Sequence, residues 1–160
     1  MKQPYSVFIF RVVSKCFIIF FHNILVLLPI IFIFGVKVNI YTLFLPLSLA
    51  IIWLNAVSYG AILALLGTRF RDIAQLIISL VQVIFFLTPI IWSPSILPER
   101  YHYIIRLNPF AQFMELVRNP LLGSLPSHYT LLFTVVITLF GLFISFRIFT
   151  RYRARIAYWL

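Results

Sequence analysis

The 160-residue chain is predicted to be an all-α membrane protein. The expected architecture is four transmembrane helices, short re-entrant or interfacial helices on the outer side, and an amphipathic tail on the inner side. Three observations lead there. Hydrophobic residues make up 63% and charged residues 10% of the chain, against roughly 45–50% and about 25% in an ordinary globular protein. A domain of this size has too much surface for its volume to hide so much carbon from water. Four stretches also reach the ~20 apolar residues that a ~30 Å bilayer core requires of a helix, and none alternates as a barrel strand would. A mean hydropathy of +1.09 excludes a soluble enzyme and a disordered tail.

The first span is expected over residues 16–36. Lys2, Arg11 and Lys15 precede it, but the apolar run is too long for a signal-peptide core and has no A-x-A-like end, so it stays as an anchor. The second span is expected over 40–66, the third over 73–92 and the fourth over 129–149. Pro29, Pro46 and Pro89 should kink or end helices, which membranes tolerate where neighbours re-satisfy the backbone. With no repeat or low-complexity linker, residues 1–160 read as one transmembrane domain. The single cysteine, Cys16, excludes an internal disulfide and reads as packing.

Lys and Arg near helix ends set orientation. An even number of spans puts both termini on one side, with Lys2, Arg11, Lys15, Arg69, Arg71, Arg147, Arg151, Arg153 and Arg155, which is nine. The opposite side holds four: Lys37, Arg100, Arg106 and Arg118. The excess places both termini in the cytoplasm. The net charge of +10 is scattered between apolar runs, which suits membrane anchoring and argues against nucleic acid.

Residues 93–128 are too long for a turn and read as a folded outer hairpin. Asn108 followed by Pro109 is the signature of an N-cap with proline at the first helical position. Phe110, Phe113, Met114 and Val117 then recur at helical period, and Pro120 should end the helix near Asn119. About eleven residues at 1.5 Å each span ~16 Å, half a membrane, so this helix should lie in the interface or dip and return. Glu115 and Arg118 are three apart and able to pair across its surface. That pair reads either as a solvated ion pair or as a polar element at the mouth of a path.

The last fourteen residues, 147–160, which include the cytoplasmic tail 150–160, carry Phe149, Tyr152, Ile156 and Trp159 on one face and Arg147, Arg151 and Arg155 on another. This pattern suits a helix in the headgroup layer, with anionic membrane lipid as partner. Reactive motifs are missing: there is no G-x-x-x-x-G-K-[ST] phosphate loop and no H-E-x-x-H. The three histidines are far apart, so no metal site is expected. No carboxylate falls in a predicted span, which disfavours a proton-coupled carrier. The chain is therefore not expected to be an enzyme. Among the polar residues inside spans, His22, Asn23, Asn55, Ser58, Ser79, Gln82 and Thr88, the default role is interhelical packing. His22, Asn23 and Gln82 are also candidates for lining a path. Between the second and third spans, Arg69, Arg71 and Asp72 read as snorkelling anchors with an N-cap aspartate, or as contacts for a cytoplasmic partner.

Several stretches carry a resemblance. LGTRFRDIAQLIISLVQVIFFLTPIIW (66–92), LNPFAQFMELVRNPLLG (107–123), RYRARIAYWL (151–160) and FRVVSKCFIIFFHNILVLL (10–28) are together similar to the membrane subunits of polysaccharide-exporting ABC transporters of the ABC-2 superfamily. The O-antigen or lipopolysaccharide export permease is the nearest pattern. The resemblance implies a homodimeric permease in the bacterial inner membrane, beside a cytoplasmic ABC ATPase subunit that binds ATP, the permease itself holding no cofactor. It implies a lipid-linked glycan substrate and places Asn108, Pro109, Phe110, Phe113, Glu115 and Arg118 at the periplasmic mouth. Arg69, Arg71 and Asp72 become candidate ATPase contacts. The family pattern starts with an amphipathic helix and two further spans. This chain corresponds to the last four, and so is expected to be a fragment or an N-terminally shortened product. Alternatives are a non-transporting relic or assembly-only membrane protein, and a capsule or teichoic-acid export permease.

Overall fold

The computed structural model describes residues 5–26, 29, 33, 39–70, 72–90, 92, 96 and 98–153. Those residues are helices and connections, without strand among them. Helix α1 is Tyr5–Ile24 and α2 is Leu45–Arg69, entered through a 3-10 turn at Ile40–Phe44. Helix α3 is Ile73–Leu87, and a 3-10 turn at Glu99–Tyr101 leads into the short α4, His102–Leu107. Helix α5 is Pro109–Leu121 and α6 is His128–Tyr152. Among the described residues three helical segments are long and apolar enough to cross a membrane: Tyr5–Ile24, Ile40–Arg69 and His128–Tyr152. An all-α membrane protein is therefore the class.

Two of the expected spans differ in their bounds. Helix α1 starts at Tyr5, so Arg11 and Lys15 sit on the helix with exposed side chains. Arg11 lies over the Phe8 ring at 5.8 Å, and such long stems can carry their charge toward water. Beyond the turn at Leu25 and Val26, only Pro29 and Ile33 of the expected first span are described, both helical. The stretch expected to span at 73–92 is helical for 15 residues, about 22 Å at 1.5 Å per residue. Its end has a local cause. Thr88 precedes Pro89, and the proline ring pushes the preceding residue out of the helical region; Thr88 has φ −90° and ψ 130°.

The bundle is organised around α2 and α6, which run side by side in the same direction. Asn55 meets Thr138, Tyr59 meets Ile137 and Gly141, and Leu65 shares a crevice with Phe149. Helix α1 runs opposite to both, since its first residues line that same crevice beside Ala64 and Thr68. Helix α3 returns from the α2 end toward Asn108. The start of α1 and the ends of α2 and α6 thus gather at one end of the bundle, named the inner end after the side on which the sequence expects them. Helices α4 and α5 occupy the other.

The α2–α6 seam is built mainly from small and hydroxyl-bearing residues, with Leu65 as its leucine. Buried positions are Ser48, Asn55, Ser58, Ala61 and Leu65 on α2, facing Thr130, Thr134, Thr138, Gly141 and Ser145 on α6. Lipid tails are as apolar as leucine, so helices in a bilayer associate by close backbone approach and interhelical hydrogen bonds. The hydroxyls hide in apolar surroundings by donating back to their own helix: Ser58 to Leu54 O (2.6 Å), Thr134 to Thr130 O (2.8 Å) and Thr138 to Thr134 O (2.6 Å). Asn55 Nδ2 then donates to Thr138 Oγ1 at 2.6 Å and to Ile51 O at 2.8 Å. Its Oδ1 is buried, and no donor among the described residues reaches it.

Candidate functional site

At the outer end, α5 is held beneath the start of α6 and against the start of α2 as a polar platform. Asn108 makes the expected cap: its Oδ1 accepts from Phe110 N at 3.0 Å, and Pro109 occupies the first turn where no donor is needed. The same side chain does a second job, since Nδ2 donates to Thr88 Oγ1 at 3.1 Å and ties α5 to the end of α3. Arg118 reaches the same region, donating to Pro89 O and Ile90 O, each at 3.4 Å. These carbonyls follow the end of α3, where a cation meets the negative pole of the helix.

Glu115 and Arg118 take different partners from the pair expected between them. Glu115 Oε2 lies 3.0 Å from Thr130 Oγ1, and Gln112 Oε1 lies 2.9 Å from that same hydroxyl. One hydroxyl carries one proton, so it serves one acceptor at a time. Ser127 Oγ, 2.9 Å away, is placed to complete the set while accepting from Thr130 N as the cap of α6. Gln112 Nε2 donates to Arg106 O at 3.1 Å and Ile105 O at 3.4 Å, fixing α4 to α5. Geometry across the helices, rather than spacing along one, decides these partners.

Pro120 lies inside α5 instead of ending it at Asn119. A proline within a helix removes the N–H that would bond the carbonyl four residues back, here Leu116 O. Ser48 of α2 supplies the missing donor: its Oγ donates to Leu116 O at 2.8 Å, and both residues are fully buried. The inward face of α5 is accordingly Ala111, Gln112, Leu116 and Pro120. The apolar stripe read at helical period lies off that face: Phe110 is 51% exposed, while Phe113, Met114 and Val117 are half-buried. The i+4 run of Gln112, Leu116 and Pro120 was the available signal, and its polar first member disguised it.

At the inner end, Arg69 closes α2 with its guanidinium 5.1 Å from the Phe70 ring centroid. Asp72 directly precedes α3, but its side chain makes no capping bond. Its backbone is already helical, φ −77° and ψ −16°, whereas a capping side chain needs extended backbone. Arg71 lies outside the described residues, as does the tail beyond Arg153. The side chains of His22, Asn23 and Gln82 are exposed on α1 and α3. Polar packing between the described helices is made by other residues, Ser48, Asn55, Tyr59 and Thr138 among them.

Replacing Thr130 by valine, which keeps the shape and removes the hydroxyl, is expected to lower stability by about 1–2 kcal/mol. The apparent melting temperature in mild detergent reads this, with Thr130→Ser restoring most of it. An unchanged transition would mean that the Glu115–Gln112–Thr130 contacts contribute nothing.

A membrane bundle with its outer helices bonded across two long helices, and with basic residues collected at its inner end, is the class that fold and site define. The family model of the ABC-2 type transporter matches residues 1–122, which takes in everything from α1 through α5. The chain belongs to the ABC-2 type transporter family. It is accordingly a membrane permease component of an ABC transporter, a family whose members pair with a cytoplasmic ATPase. No individual curated protein matches it.

Proposed function

We propose that this chain is the membrane subunit of an ATP-driven exporter that moves a lipid-linked, O-antigen-like polysaccharide across the bacterial inner membrane. In this reading it works as a homodimer with both termini cytoplasmic, holds no cofactor, and leaves ATP binding to the partner subunit. Arg69, Arg71 and Asp72 face that ATPase. The single observation that carries the mechanism is the bonding of α5 to the α2–α6 pair through Ser48 and Thr130. A displacement of the inner ends of α2 and α6 is thereby passed to the outer platform without a flexible joint. ATP binding by the partner needs only to favour one of two positions of that unit.

The outer surface supports a sugar substrate. Tyr101, Tyr103, Phe110 and Tyr129 are exposed there, with Tyr129 stacked on Phe133 at 5.6 Å and donating to Arg106 O at 3.2 Å. Ring faces beside carbonyls and a guanidinium suit a glycan, which offers CH faces and hydroxyls together. Phe110 and Phe113 would lie along its exit with Asn108, Pro109, Glu115 and Arg118.

The test is copurification of the tagged chain with the ABC ATPase encoded beside it. Stoichiometric recovery is expected, falling at least tenfold when Arg69→Glu and Asp72→Lys reverse the inner charges. Failure to recover an ATPase, even with an upstream segment supplied in the same chain, would overturn the reading. Recovery together with glycan translocation abolished by Phe110→Ala would support the substrate class.

A further inference from the structure

The inner end of the bundle carries a crevice of about 350 Å³ between α1, α2 and α6. Phe8 and Ile9 form one wall, Ala64 and Leu65 another, and Phe149 the third, with Tyr5 and Thr68 toward the helix ends. The Thr68 hydroxyl donates back to Leu65 O at 2.9 Å, so its proton is committed to the helix. A space of this size is at the small end for a ligand site. It suits a narrow hydrocarbon chain better than a headgroup.

The rim is of opposite character. Arg153 N–H donates to Phe149 O, and Arg153 has helical φ −51° and ψ −37°. Its Cα therefore stands one turn, about 5.4 Å, beyond Phe149 on the same side of α6. Its side chain is exposed. Arg69 directly follows Thr68 on α2, and Arg147 and Arg151 line a second hollow around α6 with Thr150. Against these cations Asp72 is the one acid in the adjoining connection.

Hydrocarbon below and guanidinium one turn above is the profile of a lipid with a phosphate headgroup and a net negative charge. We propose that this crevice is a specific binding site for an anionic phospholipid, one acyl chain lying against Phe8, Ala64, Leu65 and Phe149 and its phosphate held by Arg153. The lipid joins the free flank of α1 to the α2–α6 pair. The site rests on the membrane assignment alone, so its failure leaves the export reading untouched.

The experiment is native mass spectrometry of the full chain, released from detergent containing phosphatidylglycerol and phosphatidylcholine with matched acyl chains. One retained phosphatidylglycerol per chain is expected. Arg153→Gln should reduce that occupancy about fivefold, the worth of one basic side chain at an anionic headgroup. Ala64→Phe, which fills the crevice, should abolish it, with helical content and monodispersity confirming that the variant is folded. Should Ala64→Phe fail to fold, the exposed Arg153→Gln variant decides. Equal retention of the two lipids, or an unchanged signal in Arg153→Gln, overturns the proposal. Displacement of phosphatidylglycerol by an equal concentration of polyprenyl phosphate also overturns it, and gives the crevice to lipid-linked cargo.

Discussion

Replacing Gly141 by leucine is expected to unseat α6 from α2 and to produce the largest loss of stability of any single change in the seam. A Cβ at this position would stand 2.7 Å from Tyr59 Cε2 and 2.9 Å from Cζ, distances that real side chains do not tolerate. The Tyr59 ring cannot simply swing clear, because its hydroxyl donates to Ile137 O at 3.2 Å across the same interface. Leucine forces either the ring or the whole helix to move, and overpacking of this kind costs about 1–3 kcal/mol, or more when a hydrogen bond goes with it. Three kcal/mol corresponds to roughly 6–12 °C of melting temperature in a chain of this length. The check is a double-mutant cycle in mild detergent. Tyr59→Ala alone should be moderately destabilising, and in that background Gly141→Leu should lose most of its effect, since the space vacated by the ring receives the new side chain. If the two losses simply added, contact between these residues would not be the cause.

The second large effect is expected at Ser48. With Pro120 in place, Leu116 O loses the N–H that a regular helix would offer it and takes the Ser48 hydroxyl. Ser48→Ala should leave that buried carbonyl unsatisfied, at about 1–3 kcal/mol, and should loosen α5 from α2. Pro120→Ala returns an N–H to the helix at the required position. In the Pro120→Ala background, Ser48→Ala should therefore be nearly silent. The cycle reads a coupling that no distance along the sequence would suggest, between residues on two different helices. A Ser48→Ala loss of equal size in both backgrounds would show that the serine acts through its second contact, Phe44 O at 3.2 Å.

Both predictions turn on a residue, Gly141 or Ser48, to which the sequence attached no role, and the reason is physical. What was legible was local. Asn108–Pro109 marks a helix start because a side-chain acceptor and a missing N–H each answer a need of the first turn, and the cap is there. Pro89 was expected to end or kink a helix, and it does, through the backbone of the residue before it. Misread features were those whose partners lie on another element. Glu115 and Arg118 looked like a pair at helical spacing, yet each found a better-placed group, Thr130 and the carbonyls after α3. On α5 the visible pattern was the apolar stripe of Phe110, Phe113, Met114 and Val117, whereas the buried face is Ala111, Gln112, Leu116 and Pro120; a water-soluble helix would bury its apolar stripe. In a bilayer the opposite arrangement is available: aromatics can face lipid or the interface, while Ala111, Gln112 and Leu116 permit close approach and hydrogen bonding.

Composition alone determined that this chain belongs in a membrane as helices, because its charge is too sparse and its hydrocarbon too abundant for any water-facing core. Runs of apolar residues fell on the helical segments Ile40–Arg69 and His128–Tyr152 to within a few positions, whereas the first helix, Tyr5–Ile24, begins well before the expected 16–36. The motifs pointed to the ABC-2 family, to which the chain belongs. Only the tertiary structure decided which faces meet. Thr130, Thr134, Thr138 and Gly141 form a seam only because α2 lies along them, and Ser48 matters only because Pro120 is placed above it. A hydrophobic run reports its preference for lipid over water in every direction equally. Which of its sides turns toward another helix is set by small residues and single hydrogen bonds, whose meaning appears when the partner is in place.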